Sequence, residues 1–182
     1  MKYQLRNLAA ASAVCLLAAN SMAATNPATP TTVSSTGDLT ITAGMQDLVR
    51  VSQLTDIALG NYVPGADLVG NSPVCIYRNG TGNYAITFTG SGTASAFTLL
   101  DTLNTPYELP YTVNYNDAAG NAGEVAVTSG TQLTGQTGGD GTDIDCANTG
   151  VNGNIEVTIA EADLQAAPVD TYSGVLTVVI VP

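Results

Sequence analysis

The feature that most constrains this chain is a series of short β-branched and aromatic stretches separated by Gly and Asn turns. Within the stretches apolar residues fall at every second position, as in Tyr84, Ile86 and Phe88, and this period is typical of β-strands. No longer window has the 3.6-residue period of an amphipathic helix. The pattern predicts strands at Leu39–Ala43, Leu48–Ser52, Val74–Arg78, Tyr84–Thr89, Ala96–Leu100, Tyr111–Asn116, Glu124–Ser129, Asn154–Ala160 and Thr171–Val181.

The residues between these stretches indicate how the strands connect. Polar turn residues join Tyr111–Asn116 to Glu124–Ser129 and predict a hairpin with a long loop. The helix-favouring stretch Glu161–Ala166 is too short for more than a turn. Several short strands with such turns predict an all-β fold, a single Ig-like Greek-key β-sandwich over residues 38–182.

The first residues have the pattern of an export signal. Lys2 and Arg6 precede the apolar run 8–19, which is too short to cross a bilayer as a stable helix. Small residues at Ser21 and Ala23 then predict a signal peptide over 1–23, cleaved after Ala23 or, as a second choice, after Ala24. Residues 24–37, rich in Pro, Thr and Ser, predict a flexible segment. We therefore expect an exported protein without a membrane span in its mature chain.

The charge composition excludes several classes of protein. The sequence has four Lys and Arg residues, 15 Asp and Glu residues, no His and a formal net charge of −11. Cleavage after Ala23 would leave only Arg50 and Arg78 as basic side chains. Such a chain cannot neutralise phosphates, which excludes nucleic acid as a partner, and it lacks an imidazole base and a Schiff-base lysine. We predict no catalytic residue and no cofactor, and expect that the protein is not an enzyme.

Two cysteines remain in the predicted mature chain, Cys75 and Cys146. In an oxidising compartment an isolated pair is most simply one disulfide. The bond would tie the Gly-, Asp- and Asn-rich segment 134–154 to the core strand that contains Cys75.

One acidic loop offers a metal-binding hypothesis. Asp140, Asp143 and Asp145 lie among glycines, and carboxylate oxygens are ligands that Ca²⁺ prefers. Their spacing differs from that of an EF-hand loop, and no bidentate Glu follows. The alternative is a solvated loop whose Asp and Gly residues form turns, so no metal site is predicted firmly.

Several short motifs resemble secreted bacterial fimbrial subunits. The end of the chain, Asp170–Pro182, looks like the last strand of such a subunit. Upstream, Leu54–Tyr62 is followed by Val74-Cys75, by Asn83–Thr87 and by Leu109–Tyr115. This order is similar to the spore coat protein U family, which includes subunits of archaic chaperone–usher pili. That family usually has a Cys in its early strand, whereas here Leu39–Met45 has none.

The resemblance implies an Ig-like sandwich that lacks one strand. An N-terminal strand of the next subunit would fill the gap by β-strand addition. Its partners would be other subunits of the same fibre, a periplasmic chaperone and an usher, and the subunit would pass through the periplasm to the cell surface. A donor strand should carry apolar or small residues at every second position, as do Val33, Ser35, Gly37, Leu39, Ile41, Ala43 and Met45.

The same period has a second interpretation. Leu39–Ala43 could equally be the first strand of a sandwich that is complete in itself, since periodicity does not distinguish the two. The protein would then be a self-complete Ig-like secreted or surface binding module, with calcium as a candidate stabiliser. The two functions differ in one structural feature, an unpaired apolar groove beside the C-terminal strand.

Overall fold

The computed structural model describes residues 24–80, 82–102 and 107–182. The predicted signal peptide, residues 1–23, lies outside the described residues. The chain divides into two compact units, one ending at Met45 and one comprising Gln46–Pro182, and each is described by itself.

Residues 24–45 of the first unit are exposed and contain no strand ladder. One isolated antiparallel bridge joins Thr25 to Asp38, with N–O distances of 2.9 and 3.1 Å. The strand predicted at Leu39–Ala43 is not formed. A strand needs a neighbour to pair its N–H and C=O groups, and no strand of the described chain pairs with these residues.

The second unit consists almost entirely of strands. A single 3₁₀ turn at Thr93–Ser95 and a six-residue helix, α1 (Glu161–Ala166), are the helical elements within its described residues. The strands there are β1 (Val49–Ser52), β2 (Leu68–Arg78), β3 (Tyr84–Gly90), β4 (Thr98–Asp101), β5 (Glu108–Pro110), β6 (Thr112–Asn116), β7 (Val125–Ala126), β8 (Gln132–Gln136), β9 (Gly153–Ile159), β10 (Tyr172–Ser173) and β11 (Leu176–Val181).

These strands form three antiparallel sheets. The largest has the order β1-β2-β9-β6-β7, and two smaller sheets have the orders β10-β4-β5 and β11-β3-β8. β2 and β9 are paired in the largest sheet although they are far apart in the sequence, so the connections between paired strands are long. The predicted all-β class is confirmed, and the predicted hairpin is confirmed by β6 and β7, in which Tyr115 lies opposite Val125.

Alternating side chains from the three sheets form one apolar core. Tyr84, Ile86 and Phe88 of β3 are buried, as are Ile155 and Val157 of β9, so the alternation that the sequence shows at these strands marks the core face. Fully burying one such side chain contributes about 1.5–3 kcal/mol. The other buried apolar residues of this core are Val74, Ile76, Leu109, Tyr111, Val113, Tyr115 and Ile159.

The structure differs from the predicted strands where pairing with a distant strand outweighs the local propensity of the residues. β2 begins at Leu68, six residues before the predicted start, although Gly70 and Pro73 disfavour strands. Its first seven residues pair with β9 from Leu68–Ile159 to Val74–Gly153, and this pairing outweighs their low propensity. The sequence pattern does not predict the polar strand β8 or the short strand β5, and it predicts a longer strand than β7.

The predicted final strand, Thr171–Val181, is two strands in two sheets. β10 pairs with β4, and β11 pairs with β3. The break contains Gly174, where an added Cβ would lie 3.0 Å from Leu99 Cδ2 and 3.1 Å from Ser91 Oγ. The chain approaches its neighbours so closely there that only glycine fits without displacing them.

The predicted disulfide is confirmed. Cys75 of β2 and Cys146 are joined with an S–S distance of 2.02 Å, and both residues are buried. The loop that contains Cys146 also bonds to β2 directly, since the Asn152 side chain pairs with the Ile76 N–H and C=O at 2.8 Å each. The predicted tie between segment 134–154 and the core therefore consists of one covalent bond and several hydrogen bonds.

A buried polar chain lies at one end of the core. Tyr84 donates its hydroxyl proton to Asp117 Oδ1, so it accepts the hydrogen bond that joins it to Tyr115, at 2.6 Å. Asp117 Oδ2 accepts from the Gly138 N–H at 2.8 Å. Burial raises the pKa of both phenols well above the usual value, and the Asp117 charge raises both pKa values further.

Removal of the disulfide should destabilise the protein strongly. The bond closes a loop of 71 positions, and the chain-entropy model assigns about 4 kcal/mol to such a closure. We expect the variant with Cys75→Ser and Cys146→Ser to unfold at a lower temperature than the oxidised protein, measured by circular dichroism. Reduction of the disulfide in the native protein should lower the melting temperature by the same amount. Two thiols that react readily with Ellman's reagent in the native protein would contradict the bond.

The buried phenols should set an alkaline limit to stability. Their folded-state pKa lies above the unfolded value of about 10, so their contribution is present below pH 10 and is lost as the pH rises above it. We expect the free energy of unfolding to fall above pH 10, and the phenolate absorbance of the two buried tyrosines, the last two to ionise, to appear together with unfolding. Tyr115→Phe, which removes one of the two groups, should make that fall less steep. If the free energy of unfolding of this variant falls as steeply with pH as that of the wild type, the two buried phenols do not cause the loss of stability.

Candidate functional site

An apolar groove of about 830 Å³ opens beside the C-terminal strand β11. One wall is the irregular segment 54–62, and the other contains Gly174–Val178. The inner surface is formed by core side chains of β9, Ile155, Val157 and Ile159, together with Leu109 and Tyr111. The groove therefore gives access from the surface to the apolar interior.

The wall 54–62 is positioned on β2 by packing rather than by a strand ladder. Ile57 and Leu59 lie over Gly70, where a Cβ would come within 2.4 Å of Ile57 Cγ2 and 2.8 Å of Leu59 Cδ2. The Thr55 N–H donates to Ser72 Oγ at 3.1 Å. A glycine at position 70 is thus needed for the wall to lie close to the sheet.

At the end of the groove near α1, one carboxylate joins the helix to the end of the wall 54–62. Glu161 Oε1 accepts from the Gly65 N–H at 2.7 Å and from the Tyr62 hydroxyl at 3.2 Å. Leu164 of α1 and Ala167 line the groove at this end. The helix and the wall are therefore linked at the point where the wall ends.

The opposite wall, β11, has an open edge. It pairs with β3 from Leu176–Gly90 to Val181–Ala85, and no other strand of the described chain forms a ladder with it. Leu176, Val178 and Ile180 pack against the core. An edge with unpaired N–H and C=O groups beside an apolar groove is a template for an added strand.

The predicted donor residues lie in the first unit and are exposed. Val33 exposes 94% of its surface, and Ile41 and Met45 each expose 87%. Large apolar side chains without cover are unfavourable in water. The full set, Val33, Ser35, Gly37, Leu39, Ile41, Ala43 and Met45, has no regular secondary structure.

The first residues of the second unit are fixed at the far end of β2. The Arg78 guanidinium forms an ion pair with Asp47 at 2.5 Å, and this hydrogen-bonded pairing lowers the pKa of the Asp47 carboxyl. Asn79 donates from its side chain to the Gln46 C=O at 2.8 Å and accepts from the Leu48 N–H at 2.6 Å. Residues 46–48, which we call the root, thus have a defined position on their own domain.

The acidic loop uses its carboxylates to form turns. Asp140 Oδ1 accepts from the N–H groups of Thr142 and Asp143 at 2.7 and 2.9 Å. Asp143 Oδ2 accepts from the Asn148 N–H at 2.6 Å. These backbone donors lower the pKa of both carboxyls.

Asp145 Oδ1 bonds to the Ala147 N–H at 3.3 Å. Within residues 24–80, 82–102 and 107–182 no three Asp, Glu, Cys or His side chains are gathered as metal ligands. The arrangement is that of an acidic loop folded on its own backbone.

The sequence motif Leu54–Tyr62 does not by itself predict a groove wall. Its apolar residues Leu54, Ile57 and Leu59 fit no single regular period, which indicates an apolar segment outside a regular strand or helix. Their position depends on Gly70 and Ser72, which lie on a different strand and have no recognisable spacing relative to them.

No protein-family model and no curated protein matches this chain. The resemblance to the spore coat protein U family and the expected absence of catalysis therefore stay predictions. In the part of the chain that the structure describes, no helix is long and apolar enough to span a membrane.

Calcium should have little effect on stability. Asp140 Oδ1 and Asp143 Oδ2 are used to form turns, and the described residues gather no three carboxylates around one point, whereas Ca²⁺ takes six to eight oxygen ligands. We expect millimolar Ca²⁺ to change the melting temperature by less than about 1 °C relative to equal ionic strength of NaCl, since only a ligand of the folded state stabilises it. A larger rise that is abolished by Asp143→Asn would instead establish a calcium site.

Proposed function

We propose that this protein is a structural subunit of a bacterial surface fibre, assembled by donor-strand complementation. The observation that carries the proposal is the apolar groove beside the open edge of β11. In this proposal the second unit is an Ig-like sandwich that lacks one strand. The N-terminal segment of one copy supplies that strand to the next copy.

The size of the groove limits how much of the donor can enter. Its irregular wall 54–62 spans eight residue steps, which is at most about 26 Å at the 3.3 Å rise of a strand. A strand of that length presents about four side chains to one side. Among the seven donor positions the last four, Leu39, Ile41, Ala43 and Met45, contain the larger apolar groups, and we assign these to the groove.

Several other features support the proposal. The disulfide is typical of exported proteins, in agreement with the signal peptide that the sequence predicts. An open groove would need cover before assembly, and a periplasmic chaperone strand and an usher are the partners that the family resemblance implies. The route is then export to the periplasm, followed by display at the cell surface.

The alternative function, a self-complete Ig-like secreted or surface binding module, requires a strand of this chain beside β11. Among the described residues β3 is the one strand that pairs with β11, and β1, which comes close to β11, forms no ladder with it. The segment Leu39–Ala43, which would have been the first strand of such a module, is exposed and unpaired.

Donor exchange can be tested with a chain that accepts a strand but cannot donate one. In the chain 24–182, Ile41→Asp places a charge where an apolar group would enter the groove, which opposes insertion. We expect wild-type protein to form polymers in size-exclusion chromatography and this variant to stay monomeric. A synthetic peptide of residues 33–45 should then bind the variant and raise its melting temperature by roughly 5–10 °C at a hundredfold excess over Kd.

The matched control is Thr42→Asp, which adds the same charge on the opposite face of the donor strand. This chain should still polymerise. The proposal fails if wild-type protein remains a stable monomer, or if the peptide leaves the melting temperature unchanged.

A further inference from the structure

The second unit has two distinct ends along β2. Leu68 pairs with Ile159, directly before α1, whereas Arg78 pairs with Val49 of β1. The strand has 11 residues, so these ends lie about 33 Å apart at the 3.3 Å rise of a strand. The groove reaches α1 at the first end, and the root leaves the domain at the second.

Each end carries apolar side chains that the fold leaves uncovered. Leu48 of the root exposes 52% of its surface. At the α1 end, Val63 exposes 69%, and Val169 is fully exposed. Val63 directly follows the wall 54–62, and Val169, in the loop after α1, borders the groove. We call Leu48 the root patch, and Val63 with Val169 the mouth patch.

The direction in which the donor strand enters the groove decides which ends of two consecutive domains come together. Every strand pair in the described chain is antiparallel, and antiparallel pairing is the more stable kind per residue. Val181 of β11 pairs with Ala85, close to Asn83, whose C=O accepts a hydrogen bond from Arg78 at the root end. β11 therefore runs from Leu176, which lines the groove together with α1, towards the root end. A donor strand antiparallel to β11 therefore places its last residue, Met45, at the α1 end of the neighbour's groove.

The chain between donor strand and domain is too short to act as a spacer. Leu48 follows Met45 by three residues, which span at most about 10 Å. Gln46, Asp47 and Leu48 are held on their own domain by Arg78 and Asn79. With Met45 in the groove of the next copy, the two domains have no room to separate.

We infer that consecutive copies of this chain also touch domain to domain, with the root patch of one copy packed against the mouth patch of the next. This inference rests on the proposed function and adds a second contact to the inserted strand. The occupant of the mouth patch is a second copy of this chain, since the inserted strand brings Leu48 to it. The junction between subunits is then stiff, because a short, anchored connection allows little bending.

The contact can be tested with two polar substitutions outside the groove, Leu48→Ser and Val63→Ser, in the chain 24–182. We expect fibres of either variant to show a persistence length in electron micrographs at least about twofold shorter than wild type. The double variant should be no more flexible than the single ones, because both substitutions remove the same contact. Val125→Ser, at a comparably exposed valine on β7, is the matched control and should leave the fibres stiff.

Binding of the 33–45 peptide separates this inference from the proposed function. Each substitution is placed in a chain that also carries Ile41→Asp, and the peptide should stabilise these chains as it stabilises the parent. If the peptide binds and the variant fibres are as stiff as wild type, the domain contact is wrong and strand exchange stands. If the peptide does not bind, both proposals fail.

Discussion

The antiparallel pairing of β2 is the interaction on which the other features of the second unit depend. β2 has β1 on one side and β9 on the other. Its first half supports the groove wall at Gly70, its middle carries Cys75, and its last residue holds Asp47. Because one strand bears all three, a shift of its register by one residue would move the wall, the disulfide and the root together.

The part of the fold that the sequence predicts is the part in which local pattern and packing agree. Tyr84, Ile86 and Phe88 alternate in the sequence and are buried in the structure, because a strand with one core face needs that period. β8 has no such pattern, since Leu133 is its one apolar side chain packed on the core. Its position follows from its pairing with β3, which no local feature of Gln132–Gln136 reveals.

The groove could not be predicted in the same way. The groove forms between segment 54–62 and β11, which are distant in the sequence, and a space between distant segments leaves no period in a sequence. The apolar alternation from Leu39 to Met45 was equally consistent with a strand in the protein's own sheet. The structure leaves Leu39–Ala43 without a paired strand and gives β11 one paired edge, and this arrangement is the reason for proposing that the segment pairs with another copy.

The antiparallel register of β1 and β2 bears on how the domain would respond to mechanical load. Hydrogen bonds of an antiparallel pair are perpendicular to the strands. Tension applied at Gln46 along β1 would load the pairs from Val49–Arg78 to Ser52–Cys75 in shear, all at once. The disulfide of Cys75 joins β2 to the loop at Cys146 and not to β1, so β1 could be pulled away under load while the covalent link that holds β2 stays intact.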